Sequence, residues 1–182
     1  MKKVLFTLAA LCCTMALSAT TYTCHLKVTI NGESTEQDEV PVEVTLDNGL
    51  YNLNLNNFSL TADGVTLPVG NIEVMGVAGV DEYGYTTISY DDPVFITPGN
   101  DPQYGEDEWL GPMLGEVPLD MTARFTASAL SAGIDIDLAA TMGQVIRVEL
   151  FGVAPALEGD VNKDGEVNIS DVNAVIRIIL KN

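Results

Sequence analysis

Residues 39–49 read E-V-P-V-E-V-T-L-D-N-G, and the fold class follows from the pattern of these residues. Valine and leucine alternate with glutamate, proline and threonine, so an extended chain would place the apolar side chains on one face. The run ends in Asp47, Asn48 and Gly49, residue types that tolerate the positive φ angles of a two-residue hairpin turn. We therefore predict a strand that buries one face and then reverses into an antiparallel partner.

The same alternation continues on both sides of this hairpin. Residues 21–30 place every second side chain on one face, and residues 51–60 do the same with a slip at Asn56-Asn57, which predicts a β-bulge. Further strand-like runs occupy residues 65–69, 72–80, 83–90, 121–130, 134–140 and 144–152. We predict an all-β fold of about eight short strands in an antiparallel meander barrel, with a sandwich of two packed sheets as the alternative.

The amino terminus has the composition of an export signal. Lys2 and Lys3 precede the uncharged residues 4–17, and the small residues Ser18 and Ala19 follow. A charged start, an apolar run too short to cross a bilayer and a small-residue cleavage site are the features of a secretory signal peptide. We expect residues 1–19 to be removed and the mature protein to be secreted, to the periplasm, the cell surface or the medium.

The charge balance excludes two classes of partner. The 182 residues include 26 acidic and 8 basic side chains, which give a formal net charge of −18. A nucleic acid or an anionic membrane surface attracts a cationic protein and repels this one. Because 47% of the residues are hydrophobic and only 19% are charged, the chain is nevertheless a folded protein rather than a disordered acidic segment. We expect no nucleic-acid binding and no membrane insertion.

The residues that enzymes most often use are scarce. Cys24 is the one cysteine left after signal removal, and it is in phase with the apolar face of its strand, so we expect it to be buried. His25, the single histidine, falls on the polar face. The sequence has no Gly-x-Ser-x-Gly or zinc-binding pattern, and Asp135 and Asp137 alternate with apolar residues as solvated side chains do. We therefore expect no enzymatic activity.

A long connection interrupts the strands between residues 98 and 118. It contains four prolines, an acidic cluster at residues 106–108, and the single tryptophan, Trp109. Trp109 and Tyr104 would make a stacking platform for a sugar or an apolar ligand if both rings were exposed. The alternative, which we favour, is an acidic surface loop whose Trp109 folds back on the barrel.

The strongest motif lies near the carboxyl terminus, where residues 160–171 read D-V-N-K-D-G-E-V-N-I-S-D. Side-chain oxygens at alternating positions, with Gly165 at the sharp turn, are the pattern of a loop that wraps a hard cation such as Ca²⁺. The predicted calcium ligands are Asp160, Asn162, Asp164, Glu166 through its backbone carbonyl, Asn168 and Asp171. The apolar residues that follow have helical spacing, which predicts a short helix with an apolar stripe: Val172, Val175, Ile176, Ile179 and Leu180.

Two family resemblances rest on these residues. Residues 159–180 resemble one repeat of a type I dockerin, and this resemblance implies calcium binding and docking of the helix onto a cohesin-like or other protein partner. Residues 20–153 resemble the calycin-like β-barrel domain of secreted bacterial proteins, on the stretches 30–34, 54–60, 67–70 and 143–152. That resemblance implies a small apolar ligand in the mouth of the barrel.

The sequence therefore divides into four predicted parts: a signal peptide (1–19), a calycin-like barrel (20–153), a linker (154–158) and a dockerin-like calcium repeat (159–182). We expect a secreted, non-catalytic binding or adhesion module, with an apolar or glycan ligand in its barrel and a calcium-dependent tail for attachment to another protein. The alternative is a small accessory component or hydrolase of a polysaccharide-degrading assembly, tethered through the same tail.

Overall fold

A computed structural model describes residues 18–62, 65–139, 143–155, 158–162 and 167–181. The strands in these residues are β1 (Ser18–Ile30), β2 (Glu33–Asp47), β3 (Leu50–Ala62), β4 (Val65–Val77), β5 (Gly79–Glu82), β6 (Tyr85–Phe95), β7 (Glu116–Phe125), β8 (Ala129–Leu138) and β9 (Gln144–Val153). The helices are a 3₁₀ turn (Glu106–Glu108), α1 (Gly111–Leu114) and α2 (Ile169–Leu180). The predicted all-β class is confirmed. No helix in the described ranges is long and apolar enough to cross a membrane.

All nine described strands belong to one antiparallel sheet, in the order β4-β3-β2-β1-β9-β8-β7-β6-β5. The two edge strands of this order, β4 and β5, are separated in the chain by Ala78 alone, so the sheet must curl to bring the end of β4 close to the start of β5. A further pair of backbone hydrogen bonds, Asn71 N to Thr97 O (2.8 Å) and Thr97 N to Asn71 O (3.1 Å), joins β4 to the chain after β6. The result is the predicted meander, curled into a half-barrel, and not two packed sheets.

The local signals in the sequence act where they were expected. Asn48 and Gly49 have φ angles of 51° and 83° and connect Asp47 to its partner Leu50 across the hairpin. The ladder between β3 and β4 shifts between Leu55 and Phe58, where Asn57 has a φ of 54°. The predicted hairpin and bulge are therefore confirmed.

Several predicted strand boundaries are wrong. The runs predicted at 65–69 and 72–80 lie largely in one strand, β4, which ends at Val77, and β6 continues to Phe95. Residues 121–130 look continuous in sequence, but β7 ends at Phe125 and β8 begins at Ala129. The hydroxyl of Thr126 accepts hydrogen bonds from the backbone N–H groups of Ser128 (3.2 Å) and Ala129 (3.1 Å). This local hydrogen bonding makes a turn that the apolar pattern does not reveal.

The core is formed by the inward-facing side chains of the strands. Cys24 is fully buried, as predicted, and its strand partner Gly152 leaves room for the sulfur, because a Cβ at residue 152 would collide with it. Burial raises the pKa of the Cys24 thiol to about 11. The thiol is therefore protonated and shielded at neutral pH, which is the state of a packing residue and not of a nucleophile.

Candidate functional site

An apolar cavity of about 840 Å³ occupies one end of the barrel, where β1, β3 and β8 finish and β2, β4 and β9 begin. Its wall is made by inward-facing side chains that follow from the alternation of each strand. Six of these residues are Val28, Phe58, Leu60, Val69, Ile136 and Ile146. Because the strand ends leave this space unfilled by the core, the cavity can take the apolar body of a small molecule.

The rim of the cavity is polar. Ser34 and Thr35 of β2 lie there with Gln144 of β9, and Glu33 is the one charged side chain among the described lining residues. The hydroxyl of Ser34 is 2.9 Å from that of its strand partner Thr29, which does not line the cavity, so the Ser34 hydroxyl is already hydrogen bonded to a residue outside the rim. A neutral polar head group suits this rim, whereas an anionic head group would be repelled by Glu33 without a cation to balance it.

The long connection between β6 and β7 covers part of this end of the barrel. Leu110 donates its backbone N–H to the Pro68 carbonyl at 2.9 Å. Asn57, the bulge residue, donates its side-chain amide to Asn100 Oδ1 at 2.8 Å and accepts the Asn100 backbone N–H at 2.7 Å. The bulge at Asn57 therefore anchors the connection to the barrel.

Trp109 decides between the two interpretations of this connection. Its side chain is only 2% exposed and lies against the backbone of Gly99, with the ring of Tyr104 edge-on at 5.4 Å. The stacking-platform interpretation is wrong, because a buried ring presents no face to a ligand. Trp109 is buried, as the favoured interpretation expects, and the neighbours described for it, Gly99 and Tyr104, lie within the connection itself.

Sequence reasoning missed the residues that complete the cavity. Leu110, Met113 and Leu114 of the connection line the cavity beside the strand residues. Their spacing of three and four residues is the spacing of one face of a helix, and α1 forms there. That apolar triplet, in a segment otherwise rich in proline, glycine and acids, was the signal that could have identified them.

The predicted calcium loop is described in part. Asp160, Asn162, Asn168 and Asp171 lie in the described residues, whereas Asp164 and Glu166 lie outside them. Within the described part, no group of three or more His, Cys, Asp or Glu residues is arranged to hold a metal ion. The ligand set therefore stays a prediction.

Asp171 holds the two ends of this loop together. Its side chain is 4% exposed; one carboxylate oxygen accepts the backbone N–H groups of Val161 (2.8 Å) and Asn162 (3.2 Å), and the other accepts that of Asn168 (2.8 Å). These hydrogen bonds lower the pKa of Asp171 below its ordinary value, and the bond from the Asn168 N–H has the largest effect. Both oxygens of this carboxylate therefore accept backbone N–H groups in the structure, and the role of Asp171 as a calcium ligand stays a prediction.

The other titratable candidates lie on the outer face of the barrel. His25 Nδ1 is 2.7 Å from the Asp38 carboxylate, and both side chains are exposed to solvent. Asp135 is paired with Arg147 on the neighbouring strand at 2.9 Å, and Asp137 is exposed. Both aspartates therefore face solvent, as the alternation predicts.

Comparison with known proteins points to one family. Residues 19–152 match the family model of the calycin-like beta-barrel domain. The crystal structure of a "putative outer membrane protein" from Bacteroides fragilis is similar, with a TM-score of 0.52 and 13% sequence identity over 74% of this chain. The match covers 50% of that protein, so this chain spans about half its length. None of the curated proteins matches this chain.

Proposed function

This chain belongs to the calycin-like β-barrel domain family, and from that premise we propose that it is an exported, non-catalytic binding protein whose barrel takes a small apolar ligand. The observation that carries the proposal is the apolar cavity of about 840 Å³ at one end of the barrel. This volume is within the range of about 300–1,000 Å³ that is usual for sites of small molecules.

The rim defines the head group of the ligand. With Glu33 as the one charged lining residue among those described, and with hydroxyl and amide groups beside it, the site favours a neutral, hydrogen-bonding head such as an alcohol. A carboxylate head would meet no lysine, arginine or histidine in the described lining. The ligand class is therefore a neutral apolar molecule with one polar end, such as a fatty alcohol.

A fluorescence titration tests this site. A neutral naphthylamine probe, N-phenyl-1-naphthylamine, should bind saturably to the wild type, and decanol should displace it at least tenfold more effectively than decanoate. Leu60→Trp fills the cavity and should weaken probe binding at least tenfold. Leu50→Trp is the matched control, because Leu50 lies at the opposite end of the same strand and is 41% exposed. Equal probe binding by both variants would refute the cavity as the binding site.

The tail supplies calcium-dependent attachment to a protein. Three observations support this part of the proposal: the oxygen-rich loop, the role of Asp171 in joining its ends, and the exposed apolar face of α2. Val175, Ile176 and Ile179 of this 12-residue helix are 39%, 47% and 64% exposed. A helix of this length is marginal in water, so a cohesin-like or other protein that covers this face would stabilise it.

The attachment has its own test. The wild type should be retained on an immobilised type I cohesin in calcium and released by a chelator, and Ile176→Glu should abolish retention. The control is Arg177→Ala, which changes the neighbouring position but leaves the apolar face intact. Retention in the presence of the chelator, or retention of the Ile176→Glu variant, would contradict the attachment role. Neither result would argue against the ligand site in the barrel.

Export is the third part of the proposal. The residues before the barrel have the order of a signal peptide, with Lys2 and Lys3 ahead of an uncharged run. The description of the Bacteroides fragilis protein as an outer membrane protein is compatible with a cell-envelope or secreted location. Mass spectrometry of the protein purified from an export-competent bacterium should find a mature amino terminus near residue 20, and an intact amino terminus would contradict export.

A further inference from the structure

A second hollow, of about 530 Å³, opens at the opposite end of the barrel. The starts of β1 and β3, the ends of β2 and β7, and the β5–β6 hairpin surround it. Its character differs from that of the apolar cavity, because aromatic residues contribute to its wall and the acidic residue Asp81 lies at its rim. No lysine, arginine or histidine lines it among the described residues.

The aromatic wall is held rigidly. The rings of Tyr51 and Phe125 meet edge to face, with centroids 5.2 Å apart, and a side chain at Gly79 would collide with the Tyr51 ring. Tyr22 is only 1% exposed, so its ring presents no face to a ligand, but it supports the wall by donating its hydroxyl to the Thr126 carbonyl at 2.6 Å. Rings fixed in this way lose little entropy when a ligand binds against them.

The β5–β6 hairpin at the rim has a tyrosine at a turn position that an asparagine would occupy with less strain. Three two-residue turns of the barrel share one geometry, with paired φ angles of 52° and 89° at Asn31-Gly32, 51° and 83° at Asn48-Gly49, and 51° and 82° at Tyr83-Gly84. Asparagine tolerates the left-handed conformation well, whereas a bulky side chain does so at a cost. Tyr83 is 92% exposed, so packing within the protein does not offset that cost. An exposed, strained aromatic residue beside a hollow indicates a role in binding.

We propose that this hollow binds an organic cation with an alkylated ammonium group. Aromatic rings attract such cations through their π faces, and quaternary ammonium groups are recognised by clusters of aromatic residues. The chain shows this attraction nearby, where the guanidinium carbon of Arg124 lies 4.3 Å from the centroid of the Tyr85 ring on the outer surface.

A carboxylate and the net charge complete the site. Asp81 is fixed at the rim, because its Oδ1 accepts the hydroxyl of Thr86 at 2.6 Å, and Thr86 is paired with the inward-facing Phe125. The net charge of −18 raises the concentration of cations around the whole protein, and a concave wall of low dielectric focuses that field. Tyr83, at the tip of the hairpin, is placed to cover a bound cation.

A matched pair of ligands tests the proposal by saturation-transfer NMR. Choline and 3,3-dimethylbutan-1-ol have the same shape, but only choline is charged. Choline should bind saturably, and the neutral isostere should bind at least tenfold more weakly. Asp81→Asn, which keeps an acceptor for the Thr86 hydroxyl, should weaken choline binding several-fold, whereas Asp92→Asn, which removes an equal charge from the far part of β6, should not. Equal binding of the two ligands would overturn the proposal, and so would the absence of saturable choline binding.

The tyrosine provides a second, independent test. Tyr83→Asn should weaken choline binding at least threefold and, by relieving the turn, should raise the melting temperature by about 2–4 °C. Leu60→Trp, at the other end of the barrel, should leave choline binding unchanged. Unchanged choline affinity in Tyr83→Asn would show that this residue is not part of the site and would overturn the assignment.

Discussion

Replacing Trp109 with alanine should release the connection between β6 and β7 from the barrel without unfolding the barrel. Trp109 is 2% exposed, yet it lies outside the core cluster that the strands enclose. It lies against Gly99 and the edge-on ring of Tyr104, and both of these residues belong to the connection. Truncation of the Trp109 side chain should therefore destabilise the connection, and it should have little effect on the pairing of the strands.

The magnitude follows from what else anchors the connection. A buried tryptophan costs about 3–5 kcal/mol when it is truncated to alanine. In the part of the connection from residue 98 to residue 115, four described hydrogen bonds reach the barrel: Leu110 to Pro68, two between Asn57 and Asn100, and Asn71 Nδ2 to the Pro98 carbonyl at 3.0 Å. Each contributes about 0.5–1.5 kcal/mol net. The loss of Trp109 is therefore comparable with the loss of all four bonds, which is enough to free the segment.

Hydrogen exchange with mass spectrometry measures this release. Peptides that cover residues 98–115 should exchange about 10²–10³-fold faster in Trp109→Ala, since each 1.4 kcal/mol is a factor of ten. Peptides of β1 and β9 should be unchanged, and naphthylamine binding should weaken because Leu110, Met113 and Leu114 no longer line the cavity. Tyr104→Ala, which removes only the edge-on ring, is the control and should cost about 1 kcal/mol. Unchanged exchange of residues 98–115, or equal acceleration of β1, would refute the reasoning.

Calorimetric titration should show that Asp160→Ala and Asp164→Ala abolish calcium binding while Lys163→Ala, which changes no ligand, leaves it intact; wild-type binding by Asp164→Ala would contradict the ligand set. Chelation should leave the main thermal transition of the barrel unchanged, since no predicted ligand lies in a strand, and a collapse of the β-type circular dichroism would disprove the division near residue 158. A thiol reagent should label Cys24 slowly in the native protein and rapidly in denaturant, because burial raises its pKa to about 11. Burial likewise raises the pKa of Tyr22 to about 12. Because Cys24 and Tyr22 both lose their protons at lower pH in the unfolded chain than in the folded one, the free energy of unfolding measured in urea should fall above about pH 9. A free energy of unfolding that stays constant up to about pH 10.5 would argue against these shifts.

The parts of the fold that follow from the sequence are those set by neighbours in the chain. Alternation of side chains gives the buried face of each strand, and Asn48-Gly49 gives the hairpin, because both depend on backbone conformations of a few consecutive residues. The slip at Asn57 gives the bulge for the same reason. The calcium loop is equally local, and its predicted ligands at Asp164 and Glu166 lie outside the described residues.

The parts that could not be predicted depend on residues distant in the chain. Pairing of β1 with β9 places Gly152 opposite Cys24, and nothing near either residue specifies that register. The cavity is completed by Leu110 and Met113, whose helical spacing has meaning only once the connection is anchored at Asn57. The aromatic hollow likewise arises from curling, which brings Tyr51 and Phe125 together from strands that are far apart in sequence.

Methyl NMR of the protein during a titration with decanol tests the central claim most directly, because it locates the ligand as well as detecting it. Ile96 and Ile136 line the apolar cavity, whereas Ile72 and Ile88 are equally buried but do not. The proposed function predicts saturable shifts of the Ile96 and Ile136 methyl signals, with the signals of Ile72 and Ile88 unmoved. Saturable shifts confined to Ile72 and Ile88, or no saturable shift at any of the four, would contradict a ligand site at this end of the barrel.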